Sequence, residues 1–361
     1  MKKLLIIFGS VAAVALLTLL AVSCSKESVK EITTPPAVET TTLVVPALRA
    51  DGDATVDELR INSVRLLIFR SESISYNGAG VLAVNSYKTG NQSFEESKVP
   101  VGKIDIFVVV NEYTNTLSPW KNILDSPNLT EADVKNLAKT WTDALGTTNA
   151  LPSVNASNPI PMFKSYLGVD LDDQGNMTYN GAPLTTLSVE RIFAKVIVNI
   201  NFDNGGNAVT INSLDVNYVP TVSWLSPTTN NNTSESGFFS VTGIGTAPGT
   251  SLTIDPAENL NSGKPNRKYV FYLPEYILVA PSLHTFLVLN AASKAFSIAL
   301  GDGMGMHDND YMNSSSATTS DLRISRNTCY IINITSITGE IAISFTVSVN
   351  AWGDPTPVPV H

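Results

Sequence analysis

Metal sites, nucleophiles and phosphate cradles each demand particular residue types at particular spacings, and this chain offers few of them. Its three histidines, His284, His307 and His361, are not spaced from one another or from Cys24 or Cys329 as zinc ligands are. There is no Gly-x-Ser-x-Gly elbow and no phosphate-binding Gly-rich loop. Asp170-Leu171-Asp172-Asp173-Gln174-Gly175 opens like a calcium loop, with carboxylates first and third and glycine sixth. A calcium loop needs a bidentate Glu at its twelfth position, and Gly181 stands there, so the stretch reads as a turn. Gly301-Asp302-Gly303-Met304-Gly305-Met306-His307-Asp308 is a second acidic, Gly-rich stretch and reads as a flexible surface loop. Trp120, Trp141, Trp224 and Trp352 are dispersed, which suits packing more than a sugar-stacking platform. The expectation is a protein that is not an enzyme, with no catalytic residue, no cofactor and no metal.

The elements that carry these residues are mostly strands. Apolar and β-branched runs at 41–45, 61–69, 103–110, 195–202, 209–218, 269–273, 285–289, 330–337 and 341–349 are separated by Gly, Asn, Pro and Asp clusters. That spacing predicts an all-β chain of antiparallel sandwiches. Hydrophobic residues make up 43% of the chain, which excludes global disorder, and only 15% are charged. A net charge of −9 argues against a nucleic-acid partner. One helix is expected: Thr130 is a good N-cap, Asp133 sits at the third helical position, and Val134, Leu137, Ala138 and Trp141 share a face. Ile61-Asn62-Ser63-Val64-Arg65-Leu66 resembles Ile211-Asn212-Ser213-Leu214-Asp215-Val216, a faint repeat that suggests two similar sandwiches meeting near Pro183 to Leu187.

The amino terminus sets the compartment. Met1-Lys2-Lys3 is a positive head, and an apolar or small-residue run from Leu4 to Val22 leads to Ser23-Cys24. This reads as a secretory leader ending at a lipidated Cys24. A single membrane-spanning helix is the other reading of a run this long. The polar tether at 25–39, with Pro35-Pro36, favours the lipoprotein. Cys329 is then left alone and reads as a buried strand residue.

With these features together the chain resembles the fimbrillin family, the lipoprotein-precursor pilins of type V fimbriae of Bacteroidia. The leader to Cys24, Arg49-Ala50, Val108-Val109-Val110-Asn111, Arg191-Ile192-Phe193-Ala194-Lys195-Val196 and Val347-Ser348-Val349-Asn350-Ala351-Trp352 carry the likeness. It implies two transthyretin-like antiparallel β-sandwich domains in tandem, with a small helical insertion in the first. Placed on this sequence, the parts are a leader at 1–24, a removable propeptide at 25–49, and sandwiches at 50–185 and 186–361. The resemblance also implies export as an outer-membrane lipoprotein, then cleavage after an Arg by a trypsin-like protease. Polymerisation with other fimbrial subunits by strand exchange would follow, giving a cell-surface fimbrium that meets a host or bacterial surface ligand.

The residues give that scheme a physical shape. Thr40 to Leu48 looks like a first strand, and Pro46 places it at an edge. Arg49-Ala50-Asp51-Gly52-Asp53-Ala54 is a polar loop open to a protease. A cut between Arg49 and Ala50 would release Leu43, Val44, Val45, Ala47 and Leu48 and leave a groove for another strand. Arg60, against the strand at Ile61, is the second candidate site. At the other end, Ile343, Phe345, Val347 and Val349 alternate with polar residues up to Trp352. This strand either closes its own sandwich or is donated. In the tail, Pro355, Pro357 and Pro359 share one edge, which lacks N–H donors, so shaft, tip and anchor roles stay open. The rival reading is a surface lipoprotein that binds glycans without polymerising.

Overall fold

Continuous apolar runs without strict alternation demand cover on both faces of a sheet, and the first large sheet shows this. The computed structural model describes residues 39–45, 58–71, 80–90, 93–112, 120–140, 150–200, 209–227, 238–244, 252–254, 267–276, 284–291, 294–338 and 342–352. The first elements are β1 (Thr40–Val45), β2 (Ser63–Arg70), β3 (Leu82–Thr89), β4 (Phe94–Pro100) and β5 (Gly102–Val110). Helices α1 (Trp120–Leu124) and α2 (Glu131–Lys135) follow. Then come β6 (Ala138–Thr140), β7 (Met162–Leu171), β8 (Met177–Tyr179), β9 (Ala182–Pro183) and β10 (Glu190–Arg191). A seven-stranded antiparallel sheet runs β3-β2-β5-β7-β8-β9, with β10 also on β7, while β1 and β4 pair separately. One face of the large sheet, with Val64, Leu66, Ile68, Ile106 and Val108, packs with Leu43, Phe94 and Val99 of the small one. Leu67, Phe69, Phe107 and Val109 on the opposite face pack with Trp120, Leu124, Val134 and Leu137 of the helical insertion. Buried Arg65 on β2 ties that insertion down: its guanidinium meets Glu112 at 2.7 and 2.9 Å and Asp125 at 2.7 Å.

The second half contains β11 (Phe193–Ile200), β12 (Val209–Pro220), β13 (Val222–Trp224), β14 (Phe238–Val241), β15 (Leu252–Ile254) and β16 (Arg267–Pro274). It ends with β17 (Phe286–Ala291), β18 (Lys294–Ala299), α3 (Asn309–Met312), β19 (Thr328–Thr338) and β20 (Ala342–Ala351). Sheets of order β16-β11-β19-β20 and β14-β12-β17-β18 face each other, with β15 also on β12. Val196, Val198, Tyr330 and Ile332 from the first interleave with Leu214, Val216, Leu287 and Leu289 from the second. The β11–β19 pair is parallel, and the remaining pairs are antiparallel. Leu214 and Val216 on β12 face this core as Val64 and Leu66 on β2 face the first, so the repeated hexapeptides occupy matching positions. The described residues from Thr40 to Trp352 belong to one compact unit.

The expected helix is real but shorter than its periodicity suggests. Thr130 and Asp133 form a reciprocal capping box, with Thr130 N–H donating to Asp133 at 2.9 Å. The helix stops at Lys135, and Ala138 opens β6 instead of continuing it. Pairing of β6 with the distant β13, at Val222↔Thr140, Ser223↔Lys139 and Trp224↔Ala138, wins over propagating a helix of marginal length. Trp141 lies outside the described residues.

Candidate functional site

Assembly by strand replacement requires a strand that fills a core yet holds few neighbours. β1 meets that requirement: among the described residues it pairs only with β4, from Thr40↔Pro100 to Val45↔Phe94. A register shift between Thr41 and Leu43 faces Lys98, whose φ is 63°. Leu43 is fully buried in the core, whereas Val44 is 61% exposed. The Val45 side chain, Ala47 and Leu48 lie outside the described residues, as do Cys24, Arg49 and Ala50. Leu43→Ala in the uncut chain is expected to cost about 2–5 kcal/mol, read by urea denaturation. A loss below about 1 kcal/mol would show that β1 does not plug the core.

The calcium-like stretch is the β7–β8 turn, and it touches β1. Asp172 organises the turn by accepting N–H bonds from Gln174 at 2.9 Å and Asn176 at 2.8 Å. The Asn176 side-chain amide, at 2.9 Å, and these backbone donors hold the Asp172 carboxyl below the usual carboxylate range. Thr41 Oγ1 donates to Asp173 O at 2.9 Å, so the turn lies along β1.

Beyond the candidate cleavage loop the chain is pinned. Glu58 is fully buried and accepts from Lys195 Nζ at 2.7 and 2.9 Å and from Tyr272 Oη at 2.6 Å. Asn111, with φ 56°, grips the next residues. Its Nδ2 donates to Arg60 O at 2.8 Å, and its Oδ1 accepts from Asn62 N–H at 2.7 Å. Cleavage after Arg60 would have to attack that held carbonyl.

The same cluster receives the end of β20. Trp352, 3% exposed, stacks on Tyr272 with ring centres 5.6 Å apart. The Arg191 guanidinium lies 4.8 Å from the Trp352 ring and donates to its carbonyl at 3.1 Å. Lys195 Nζ is 5.7 Å from the same ring. β20 pairs along its length with β19, from Thr328↔Ala351 to Thr338↔Ala342, and ends its sheet. Phe345, Val347 and Val349 are half-buried against the core. The Ile343 side chain and the tail at 353–361 lie outside the described residues.

The remaining candidates have structural surroundings. Cys329 is buried on β19, and burial pushes its thiol pKa up, which disfavours the reactive thiolate. The stretch at 301–308, expected to be flexible, is built into the fold. Asp302 accepts from Tyr330 Oη at 2.6 Å and Ser325 Oγ at 2.7 Å and pairs with Arg323 at 2.8 Å. His307 stacks on Tyr311 at 4.0 Å, and His284 lies 5.8 Å from the Phe286 ring. His361 lies outside the described residues. Among the described residues no three His, Cys, Asp or Glu side chains are grouped to hold a metal ion.

Sequence reasoning noticed Arg191 and Lys195 as part of a likeness but gave them no role, and it missed Glu58, Tyr272 and Asn111 as partners. A usable signal was present: a lysine inside the apolar run Phe193-Ala194-Lys195-Val196-Ile197-Val198 needs a buried counter-charge.

Two sandwiches in series, an amino-terminal edge strand and a closing strand at a sheet edge make up the fimbrillin-type fold of bacterial fimbrial proteins. The tip fimbrial protein Mfa3 of Porphyromonas gingivalis, in a C-terminally truncated form, is similar over 87% of this chain and 100% of its own, with a TM-score of 0.58 and 17% identity. A candidate cell adhesion protein of Bacteroides eggerthii aligns over 87% of this chain and 97% of its own, with a TM-score of 0.54 and 14% identity. Another from Parabacteroides distasonis aligns over 89% and 99%, with a TM-score of 0.51 and 12% identity. At such identities the likeness is one of fold. No family model matches the chain, and no curated protein sequence does.

Proposed function

We propose that the protein is the precursor of a structural or adhesive fimbrial subunit. It is exported as a lipoprotein through Cys24, cut between Arg49 and Ala50 at the cell surface, and polymerised when another subunit's strand replaces β1. The observation that carries this reading is the contrast between the two sides of residues 46–57. Upstream, an edge strand plugs the core through Leu43; downstream, Glu58, Arg60 and Asn62 are fastened to the body. A cut between them frees the strand without loosening the sandwich. The pinned Arg60 carbonyl favours Arg49 over Arg60 as the processing site. Residues 50–185 and 186–361 serve as the two working domains. No catalytic role is part of this reading. Glycan binding without polymerisation gains no aromatic platform from the described tryptophans, since Trp120 and Trp352 are buried and Trp224 is half-buried.

Native trypsin treatment of residues 25–361 tests this directly. The expected products are a fragment beginning at Ala50 and detergent-resistant multimers, with Arg60 intact. Asn111→Ala is expected to open a second cut after Arg60, seen as a new amino terminus at Ile61. A cut chain that stays monomeric would sink the proposal.

A further inference from the structure

The β7–β8 turn meets the backbone of β1 through a glycine. Gly175 has φ +86°, and a β-carbon placed on it would stand 2.6 Å from Thr42 O and 3.9 Å from Thr41 Oγ1. Only a hydrogen fits between this turn and the strand backbone. Next to that contact, Thr41 Oγ1 donates to Asp173 O at 2.9 Å. β1 therefore has a hydrogen-bonded ladder to β4 along its length and the turn Asp172–Asn176 against it at Thr41 and Thr42. The two turn contacts take a carbonyl oxygen and a side-chain hydroxyl from β1, and neither takes a backbone N–H. Proline lacks only the N–H, so it can supply the carbonyl that Gly175 meets. Two residues along from the hydroxyl, Leu43 drops into the core.

We propose that the turn Asp172–Asn176 is a selective wall of the β1 groove that sets the register of whatever strand fills it. It admits a strand reading hydroxyl, then any residue including proline, then a large aliphatic, aligned with Thr41-Thr42-Leu43. The occupant after processing is a second copy of this chain, seated at Thr356-Pro357-Val358 of its tail. This rests on the strand-replacement reading above and adds the register and the wall to it. Nine residues, 353–361, follow Trp352, more than the six-residue span of β1. The donor-free edge made by Pro355, Pro357 and Pro359 is suited to a wall that takes oxygen and hydroxyl contacts, while Thr356, Val358 and Val360 keep N–H groups for β4.

The test uses the chain 25–361, cut by trypsin and freed of residues 25–49, with fluorescent peptides 39–48 and 353–361 followed by anisotropy. Both peptides are expected to bind, and Val358→Asp in the tail peptide to weaken its binding at least about tenfold. Gly175→Asn keeps the left-handed backbone accessible but adds the β-carbon. It is expected to weaken both peptides at least about tenfold. Gly181→Asn is the control, because Gly181 has φ +79° and a β-carbon placed on it would meet nothing within 4 Å. It is expected to change binding by less than about twofold. If neither peptide binds the cut protein, strand replacement itself fails. Binding of both peptides with no effect of Gly175→Asn, or an equal effect of Gly181→Asn, overturns the wall while leaving replacement standing. Binding of 39–48 without 353–361 overturns the tail as occupant.

Discussion

Arg49→Ala is expected to abolish assembly: the chain 25–361 carrying it should stay monomeric under native trypsin treatment that converts the unsubstituted chain into multimers. The effect is all-or-none because β1 is covalently joined to the body until the chain is cut after Arg49. As an intramolecular strand it competes at an effective concentration on the order of millimolar, which another subunit's strand cannot match in dilute solution. Once cut, β1 becomes an ordinary ligand, a six-residue strand with five paired residues and one fully buried leucine, and it can diffuse away. The measurement is size-exclusion chromatography with amino-terminal sequencing of the product. Normal multimers from Arg49→Ala would refute the assignment of the processing site.

Lys195→Met is expected to cost about 3–5 kcal/mol of stability, because it leaves the Glu58 carboxylate buried without its counter-charge. Glu58 lies 137 positions before Lys195, so the loss should also detach the segment leading into β2 from the second sandwich. Tyr272 still donates to Glu58 in that variant, which keeps the loss finite. The double variant Glu58→Leu with Lys195→Met should regain most of the loss, since an apolar pair of similar volume removes both charges. Urea denaturation of the four chains in a double-mutant cycle checks this. A single-variant loss under about 1 kcal/mol would show that the pair is better solvated than its geometry implies. Because Trp352 stacks on Tyr272 and lies near Lys195, the same variants should quench or shift tryptophan emission from the end of β20.

Much of the fold was legible because it is written in local periodicity. The apolar runs at 41–45, 103–110, 209–218 and 330–337 became β1, β5, β12 and β19 with boundaries moved by a few residues. Thr130 and Asp133 announced a helix start, since a capping box is a short-range hydrogen-bond pattern. The end of that helix was not legible, because β13 at Val222–Trp224 claims Ala138–Thr140 from a distance. Likewise Asp170 to Gly175 announced a turn, and Asp172 indeed organises one. That this turn lies on β1, 132 positions earlier in the chain, had no local trace beyond the glycine itself.

By itself, the sequence determined the strand-rich class, the alternation along β20 and the burial of Cys329. Each depends on residue type and on neighbours within a few positions. Only the tertiary structure decided which edges meet: β1 against β4 and the Gly175 turn, Glu58 against Lys195 and Tyr272, and Trp352 against Arg191. Those contacts arise when two sandwiches bury their remaining apolar faces against a common cluster. The pairing of distant charges and rings then follows from packing geometry rather than from any spacing along the chain.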